Sequence, residues 1–172
     1  MNPVYPQVGT SADLLNSTIR LESLIPFLQH QQAKTVAITN KRLYGVLPFY
    51  QEVKKAGLHP VIGLTCRIEI SEDNSADVQI YAKSNIGYQN LLKISSALEV
   101  KALSALPLKW LQAYKQDCLV VVSMPKQSSL DAKESILDAL KNSLGSHILG
   151  GIERPGGIVD SHENEFITLC EE

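Results

Sequence analysis

The amino-acid sequence predicts an α/β fold, and three observations support this class. Short runs rich in β-branched residues alternate with stretches whose apolar residues recur at helical spacing, as in strand–helix–strand units. The chain has 172 residues, of which 44% are hydrophobic, enough to bury the core of one domain. The alternation contains no internal repeat or low-complexity tract. We therefore expect a single α/β domain over residues 1–172.

Three strands and two helices are predicted in the first part of the chain. The strands are brief, and they are expected at Val4–Val8, Thr35–Thr39 and His59–Gly63, the last continuing toward Ile70. The second helix covers Leu47–Ala56 and stops at Gly57. The first helix has four apolar residues on one face, Leu21, Leu24, Ile25 and Leu28. Because Pro26 lies inside that pattern, the helix either begins near Ser23 as its cap or kinks at the proline.

The second part of the chain predicts a hairpin and then further alternation. The polar turn 71–76 and the strand Val78–Ala82 are interpreted as a hairpin inserted into the α/β pattern. Strands are expected at Leu119–Ser123 and His147–Ile152. Helices are predicted at Asn85–Leu98, Leu108–Tyr114, Ser129–Leu144 and from Glu163 onward. The last helix should lead into a further strand, so we expect the sequence to be part of a longer chain, truncated at its C-terminal end.

Charge and cysteine content narrow the function classes. The net charge is −2 and the pI is about 6.1, which disfavours a free-standing nucleic-acid-binding protein. The three cysteines, Cys66, Cys118 and Cys170, are far apart and form no CxxC pair, so we expect reduced thiols rather than a zinc or redox site. No apolar run approaches the roughly 18 residues of a membrane span, and no signal peptide is visible. These features predict a cytoplasmic protein without a membrane partner.

Two segments carry a resemblance to a known family. They are "LYGVLPFYQEVKKAGLHPVIGLT" (Leu43–Thr65) and "YAKSNIGYQNLLKISS" (Tyr81–Ser96). They resemble the PHP domain at the start of bacterial DNA polymerase III alpha subunits of the DnaE type. The segment "SADLLNSTIRLESLI" (Ser11–Ile25) is similar to the opening of that domain. The resemblance implies a partial, distorted β/α barrel of the TIM-like kind, in which active members bind metal ions at the carboxyl ends of the strands.

The positions that match the family's metal ligands carry other residue types here. The first His-x-His motif falls on Gln7-Val8-Gly9, the Asp-His pair falls on Asn40-Lys41, and the glutamate of the third motif falls on Thr65. Glycine has no side-chain ligand, an amide is a weak substitute for imidazole, and lysine brings a positive charge. The resemblance therefore predicts a degenerate metal site with no catalytic, metal-binding or cofactor-binding residues in this chain.

Other candidate sites are given a structural interpretation. The four histidines, His30, His59, His147 and His162, lie outside the matched motifs and are expected to be surface or hydrogen-bonded residues. The cluster Asp160–Glu163 is the only local acid/histidine group and is not expected to bind a metal. The glycine pairs at 150–151 and 156–157 lack a phosphate-loop context, and Ser128-Ser129 lacks a nucleophile elbow. Trp110 and Tyr114 are expected to pack within or beside helices rather than to stack on bases.

The leading functional hypothesis is a noncatalytic PHP domain that supports a replicative DNA-directed DNA polymerase. As the resemblance implies, the parent chain would extend a primer with deoxynucleotides and would hold two Mg²⁺ ions through carboxylates outside these 172 residues. Its partners would be the polymerase thumb and core, primer-template DNA and replisome subunits. Two alternatives stay open: an active metal-dependent phosphoesterase or 3'-5' proofreading exonuclease, and a stand-alone interaction module descended from the polymerase.

Overall fold

The computed structural model describes residues 3–72, 74–123, 130–152, 154 and 157–171, and it shows an α/β chain of two compact units. The units are residues 1–65 and 66–172, and the boundary falls inside the third strand. The described elements are, in chain order, β1 (Val4–Val8), α1 (Leu21–His30), β2 (Thr35–Ile38), α2 (Val46–Lys55), β3 (His59–Glu69), β4 (Ser75–Ala82), α3 (Asn85–Val100), β5 (Leu106–Pro107), α4 (Leu108–Ala113), β6 (Cys118–Ser123), α5 (Leu130–Leu144), a 3-10 turn (Gly145–His147), β7 (Ile148–Gly151) and α6 (Glu163–Glu171).

The first unit is built on three parallel strands. β1 pairs with β2, and β2 pairs with β3 through a regular register from Thr35–His59 to Ile38–Ile62. The register between β1 and β2 shifts after the Tyr5–Val36 pair, because three residues of β1 span the distance that two residues of β2 cover. Parallel strands end at the same edge of a sheet, so the residues that follow β1 and β2 are neighbours.

The helices of this unit contribute a small apolar core. α1 buries Leu24 and Leu28, and α2 buries Val46, Phe49 and Val53. The phenylalanine and Leu28 are completely inaccessible to solvent. Burial of this kind supplies most of the stability of such a unit, at roughly 25 cal/mol for each Å² of apolar surface removed from water.

The start of α1 decides between the two alternatives left by Pro26. The expectation that Ser23 caps the helix is wrong: α1 begins at Leu21, after an extended Arg20 whose carbonyl oxygen accepts hydrogen bonds from the backbone N–H of both Ser23 and Leu24. Ser23 therefore lies in the first turn. Pro26 lies inside the helix, where its missing N–H removes one backbone hydrogen bond.

The start of α2 depends on a glycine. Gly45 precedes the helix with a φ of +74°, and a Cβ built on it would lie 2.5 Å from the Cβ of Ala12. Only glycine adopts this conformation cheaply and leaves room for that neighbour. The tight passage from β2 into α2 consequently requires glycine at this position.

The second unit mixes strand directions. β4 runs antiparallel to β6 from the Val78–Val122 pair to the Ala82–Cys118 pair, and β7 runs parallel to β6. A two-residue strand, β5, pairs in parallel with the end of β3, and the sequence analysis did not predict it. The core of this unit includes the completely buried side chains Ile80, Ile94, Leu111, Val120, Ile136 and Leu140. Cys118 is buried at the head of β6, and none of the three cysteines, all of which lie in the described ranges, forms a disulfide bond.

The motif "YAKSNIGYQNLLKISS" joins α3 to the chain before β6. Ser84 caps α3 by accepting from the backbone N–H of Ile86 and Gly87, and its hydroxyl donates to the Asp117 carboxylate at 2.6 Å. The buried Asn90 side chain donates to the carbonyl oxygen of Gln116 at 3.0 Å. A Cβ on Gly87 would lie 2.1 Å from the carbonyl oxygen of Asp117. These residues therefore have a structural explanation, the close packing of α3 on the 116–117 segment.

Candidate functional site at the ends of the first three strands

Three of the five predicted positions lie close together, after the carboxyl ends of β1 and β2 and in β3 just beyond the part that pairs with β2. Gly9 follows β1, Asn40 follows β2 by two residues, and Thr65 lies within β3. The backbone N–H of Thr65 donates to the carbonyl oxygen of Asn40 at 3.1 Å. The Thr65 hydroxyl donates to the backbone carbonyl oxygen of Thr39 at 2.8 Å. The backbone N–H of Thr39 donates in turn to the carbonyl oxygen of Val8 at 2.9 Å.

The Asn40 side chain is the centre of this site. It is 1% exposed, and its Oδ1 accepts from the backbone N–H of Thr10 at 2.8 Å. Its Nδ2 donates to the Thr10 hydroxyl at 3.0 Å and to the carbonyl oxygen of Tyr44 at 3.1 Å. Both amide protons and one carbonyl lone pair are thereby used. This amide joins the ends of β1 and β2 to the turn that leads into α2.

Lys41 points into the loop formed by residues 10–20. Its backbone N–H donates to the carboxylate of Asp13 at 3.0 Å, and its ammonium Nζ donates to the Asn16 side-chain oxygen at 2.7 Å. The Asn16 amide also donates to the Asp13 carboxylate at 3.1 Å. Lys41 is exposed, so its charge stays hydrated while its side chain is held by the loop.

Gly9 faces the same loop, whereas Gln7 does not join the network. The carbonyl oxygen of Gly9 accepts from the Ser17 hydroxyl at 2.7 Å, and a Cβ on Gly9 would lie 3.5 Å from the Cβ of Ser17, an ordinary contact. Gln7 lies exposed in the irregular part of β1. Within the part of the chain that the structure describes, its side chain forms no hydrogen bond with the other four positions.

The donor set at these strand ends does not fit a divalent metal cluster. The groups at the matched positions are an amide already bonded on both sides, a hydroxyl that donates to a carbonyl, an ammonium and a glycine, and the one carboxylate bonded to them, that of Asp13, already accepts from Lys41 and Asn16. Zinc and manganese require several imidazole or carboxylate ligands that converge at about 2.0–2.2 Å. Among the described residues, no group of three or more histidine, cysteine or acidic side chains could hold a metal ion.

The histidines and the acidic loop lie elsewhere. His30 and His59 are exposed, the Nδ1 of His147 lies 3.0 Å from the carbonyl oxygen of Cys118, and that of His162 lies 3.1 Å from the carboxylate of Glu165. In the Asp160–Glu163 cluster, Asp160 accepts from the backbone N–H of His162 at 2.8 Å.

Glu163 is engaged by a guanidinium. Its buried carboxylate accepts two hydrogen bonds from Arg154, one of them from Nε at 2.9 Å. The hydrogen bonds and charge of Arg154 hold the pKa of Glu163 below its ordinary value. The cluster thus fixes the chain before α6 and offers no converging ligands. Ser128, Ser129 and Gly156 lie outside the described residues.

The hydrogen-bonding residues of the 10–20 loop were not among the predicted site residues. Thr10, Asp13, Asn16 and Ser17 receive or donate the hydrogen bonds that close the 10–20 loop over the strand ends. The signal available beforehand was the run of short polar residues between β1 and α1, which favours side-chain-to-backbone bonding. Its partners lie about 30 residues away along the chain.

No described helix is long and apolar enough to cross a membrane.

Known proteins similar to this chain agree with the fold and the motifs. The PHP domain family model matches residues 7–144. The chain is 31% identical over 156 residues to the DNA polymerase III subunit alpha of Halalkalibacterium halodurans, covering 84% of this chain and 14% of that protein. It is 37% identical over 124 residues to the corresponding subunit of Bacillus subtilis, covering 70% of this chain and 11% of that protein. The chain thus spans a small part of the length of these relatives.

A solved structure extends the likeness to the fold. A protein of Bifidobacterium adolescentis, described as a metal-dependent phosphoesterase, matches with a TM-score of 0.62 over 98% of this chain and 82% of its own, at 11% identity. At that identity the match concerns the fold alone, and it agrees with the predicted partial β/α barrel of the TIM-like kind. The family model, the polymerase relatives and this fold together show that the chain belongs to the PHP domain family.

Proposed function

We propose that this chain is a noncatalytic PHP domain that supports a DNA-directed DNA polymerase in DNA replication. The observation that carries the proposal is the Asn40 amide, which bonds Thr10 and Tyr44 at the place where active relatives would hold metal. On this proposal, Gln7, Gly9, Asn40, Lys41 and Thr65 are degenerate ligand positions. Hydrogen bonds among neighbouring residues, rather than metal ions, join the strand ends.

The chemistry of the substitutions supports an inactive site. A hydrolytic metal site must bring a bound water to low pKa and place it against the substrate. An exposed ammonium at Lys41 would repel a divalent cation, and the Asn40 oxygen already accepts from a backbone N–H. The chain's own residues at this place hold the loop 10–20 closed through hydrogen bonds of Gly9, Lys41 and Asn40.

The polymerase relatives are consistent with the proposed supporting role. In these DNA polymerase III alpha subunits the matched region is a small part of a long chain, so the domain has an extensive polypeptide to pack against. Nucleotide addition, with Mg²⁺ held by carboxylates, would belong to the rest of that chain, which would also contact primer-template DNA and replisome subunits. The proposed role places the protein in the cytoplasm.

The loop 10–20 supplies a surface for such packing. Leu14 is 80% exposed, and Leu15 is fully exposed with a φ of +66°, a conformation unfavourable for leucine. Single exposed apolar residues are ordinary, but two adjacent leucines that point outward from a hydrogen-bonded loop form a small exposed hydrophobic patch. Contact with the thumb or core of the polymerase would bury both.

The second candidate is an active metal-dependent phosphoesterase or proofreading exonuclease. The observation in its favour is the fold likeness to the Bifidobacterium adolescentis protein. A stand-alone interaction module is the third candidate, and it requires a gene that stops after this region.

The test combines metal analysis with a stability measurement. The untagged chain, purified without chelator and incubated with Mn²⁺ or Zn²⁺, should retain well under one tenth of a metal ion per chain and should not hydrolyse bis-p-nitrophenyl phosphate. Stoichiometric metal with turnover would establish the second candidate instead. The double substitution Leu14→Ser/Leu15→Ser should lower the unfolding midpoint of the complete polymerase. In the isolated 172-residue chain, the same double substitution should leave the unfolding midpoint unchanged. Equal midpoints in the complete polymerase would contradict the supporting role of this loop.

A further inference from the structure

Positive charge is enriched in two stretches of a chain whose net charge is −2, residues 34–55 and residues 83–115, and the second has lysines in contact with aromatic rings. Residues 83–115 contain five lysines and a single acidic residue, Glu99. This stretch comprises α3, β5 and α4, all within the second unit. The overall charge therefore conceals a local surface of opposite sign, and only a local surface can attract a polyanion to a chain of this composition.

Two of these lysines lie over aromatic rings, and a third is the chain neighbour of one of those rings. The Nζ of Lys93 lies 5.4 Å from the ring centroid of Tyr114, and the Nζ of Lys101 lies 4.2 Å from that of Trp110. The two rings meet edge to face with centroids 6.2 Å apart. Lys109, next to Trp110 on α4, is exposed. We call Lys93, Lys101, Lys109, Trp110 and Tyr114 the lysine surface.

The charges of the lysine surface are not neutralised within the protein. Over the described ranges, none of Lys93, Lys101 and Lys109 forms an ion pair with a carboxylate, whereas Arg67 and Arg154 each do. The Nζ of Lys93 has the Asn90 side-chain oxygen at 3.4 Å, a neutral partner. Cation–π contacts restrict the lysine side chains without cancelling their charge. The ammonium groups are thus held in place and remain available to an anion.

The arrangement of the rings selects among polyanions. A platform for single-stranded nucleic acid exposes ring faces on which bases stack. Here an ammonium group lies over each of the Tyr114 and Trp110 rings, and the two lysines are exposed while the rings are half-buried. A surface of this kind contacts phosphates and reads no base sequence.

We propose that the lysine surface binds the phosphate backbone of duplex DNA without sequence preference. The choice of DNA over other polyanions rests on the proposed function as part of a DNA polymerase. The binding itself depends on Lys93, Lys101 and Lys109. The surface would hold DNA close to the domain while the chemistry of synthesis takes place elsewhere.

Fluorescence anisotropy of a labelled 20-base-pair duplex tests the proposal. The 172-residue chain should bind weakly at 50 mM salt, and the logarithm of its affinity should fall with that of salt with a slope between about −2 and −3, since each phosphate contact contributes about −0.9. Lys93→Glu/Lys101→Glu should weaken binding at least tenfold more than the control Lys54→Glu/Lys55→Glu. The control changes the net charge equally, and its Lys54 also lies over a ring, 5.3 Å from Tyr50.

Three results would overturn the proposal. The control pair could weaken binding as much as the test pair, polyglutamate could compete as well as DNA, or a single strand could bind more tightly and quench Trp110 through stacking. Trp110 is the only tryptophan, so its emission reports on this surface alone.

Two control measurements, of folding and of metal content, separate this proposal from the proposed function. Circular dichroism verifies that the variants fold, and if the charge-reversed pair does not, Lys109→Glu alone should reduce the salt slope by about one. Metal content tests the noncatalytic proposal and is independent of these lysines. A failure of either proposal is therefore distinguishable from a failure of the other.

Discussion

Replacing Asn40 with alanine tests whether one amide organises the strand ends. The change leaves the Thr10 backbone N–H and hydroxyl without their partner, and Thr10 is only 3% exposed. It also removes the donor to Tyr44, whose carbonyl is nearer to solvent. A buried polar group left unpaired costs about 1–3 kcal/mol, so we expect a loss of about 2–4 kcal/mol in the free energy of unfolding. That is a large share of the roughly 5–15 kcal/mol typical of a domain.

Urea denaturation followed by far-UV circular dichroism measures this loss. Asn16→Ala is the matched control, because Asn16 also bonds through its side chain but lies exposed, and it should cost at most about 0.5 kcal/mol. If Asn40→Ala costs no more than the control, the amide does not organise the site, and the reasoning from the hydrogen-bond network is wrong.

Asn40→Asp adds a pH arm to the same experiment. The carboxylate would have to lie against the carbonyl oxygen of Tyr44, so burial should raise its folded-state pKa above the unfolded value of about 3.9. The variant is then destabilised above the folded-state pKa, and its deficit relative to the wild type shrinks as the pH falls. Millimolar Mn²⁺ should not restore its stability at pH 7, since among the described residues no group of three or more histidine, cysteine or acidic side chains surrounds this position. Restoration by metal would show a latent site.

Two further predictions concern packing and charge in the second unit. Gly87→Ala should lower the free energy of unfolding by about 2 kcal/mol or more, because its Cβ would lie 2.1 Å from the Asp117 carbonyl oxygen. Gly9→Ala is the control: its nearest contact is at 3.5 Å, so it should change the free energy of unfolding by less than about 1 kcal/mol. Equal effects of the two substitutions in urea denaturation would contradict the close-approach argument. Arg154→Gln should lower the thermal unfolding midpoint at pH 7. The difference from the wild type should vanish as the pH falls through the lowered folded-state pKa of Glu163, because protonation of that carboxylate removes the stability that its depressed pKa contributes. A difference that persists at pH 2 in thermal scans would exclude the ion pair as its cause.

The regular elements were predictable because their signals are local. β2 and β6 are short β-branched runs, and α3 and α5 have apolar residues at helical spacing. β5 was missed because two residues carry no periodicity, and its pairing with β3 depends on residues almost 40 positions away. The start of α1 was left open between a cap at Ser23 and a helix that continues through Pro26, because Ser23 is a favourable cap in isolation; the extended Arg20 accepts the first hydrogen bonds instead.

The candidate site also has a part that the sequence predicted and a part that it did not. Gly9, Asn40, Lys41 and Thr65 were found by their motif positions, and the structure brings Gly9, Asn40 and Thr65 to one edge of the sheet. The partners of Asn40 could not be read beforehand, because its bonds to Thr10 span 30 residues and depend on the parallel pairing of β1 with β2. Long-range hydrogen bonds follow from the topology, which composition and periodicity define only as a class.

The proposed inactive site also explains why a return to metal binding would require several changes at once. A single carboxylate at position 40 would be buried beside the carbonyl oxygen of Tyr44, and the exposed Lys41 ammonium is directed to Asn16 instead. A single histidine at position 9 would point toward Ser17 and find no second ligand, because Thr65 donates its hydroxyl proton to Thr39. Each step alone costs stability, and a metal would compensate only after three or more ligands converge. The hydrogen-bonded arrangement is therefore separated from a catalytic one by unstable intermediates, so a domain kept for packing would not regain hydrolysis by single substitutions.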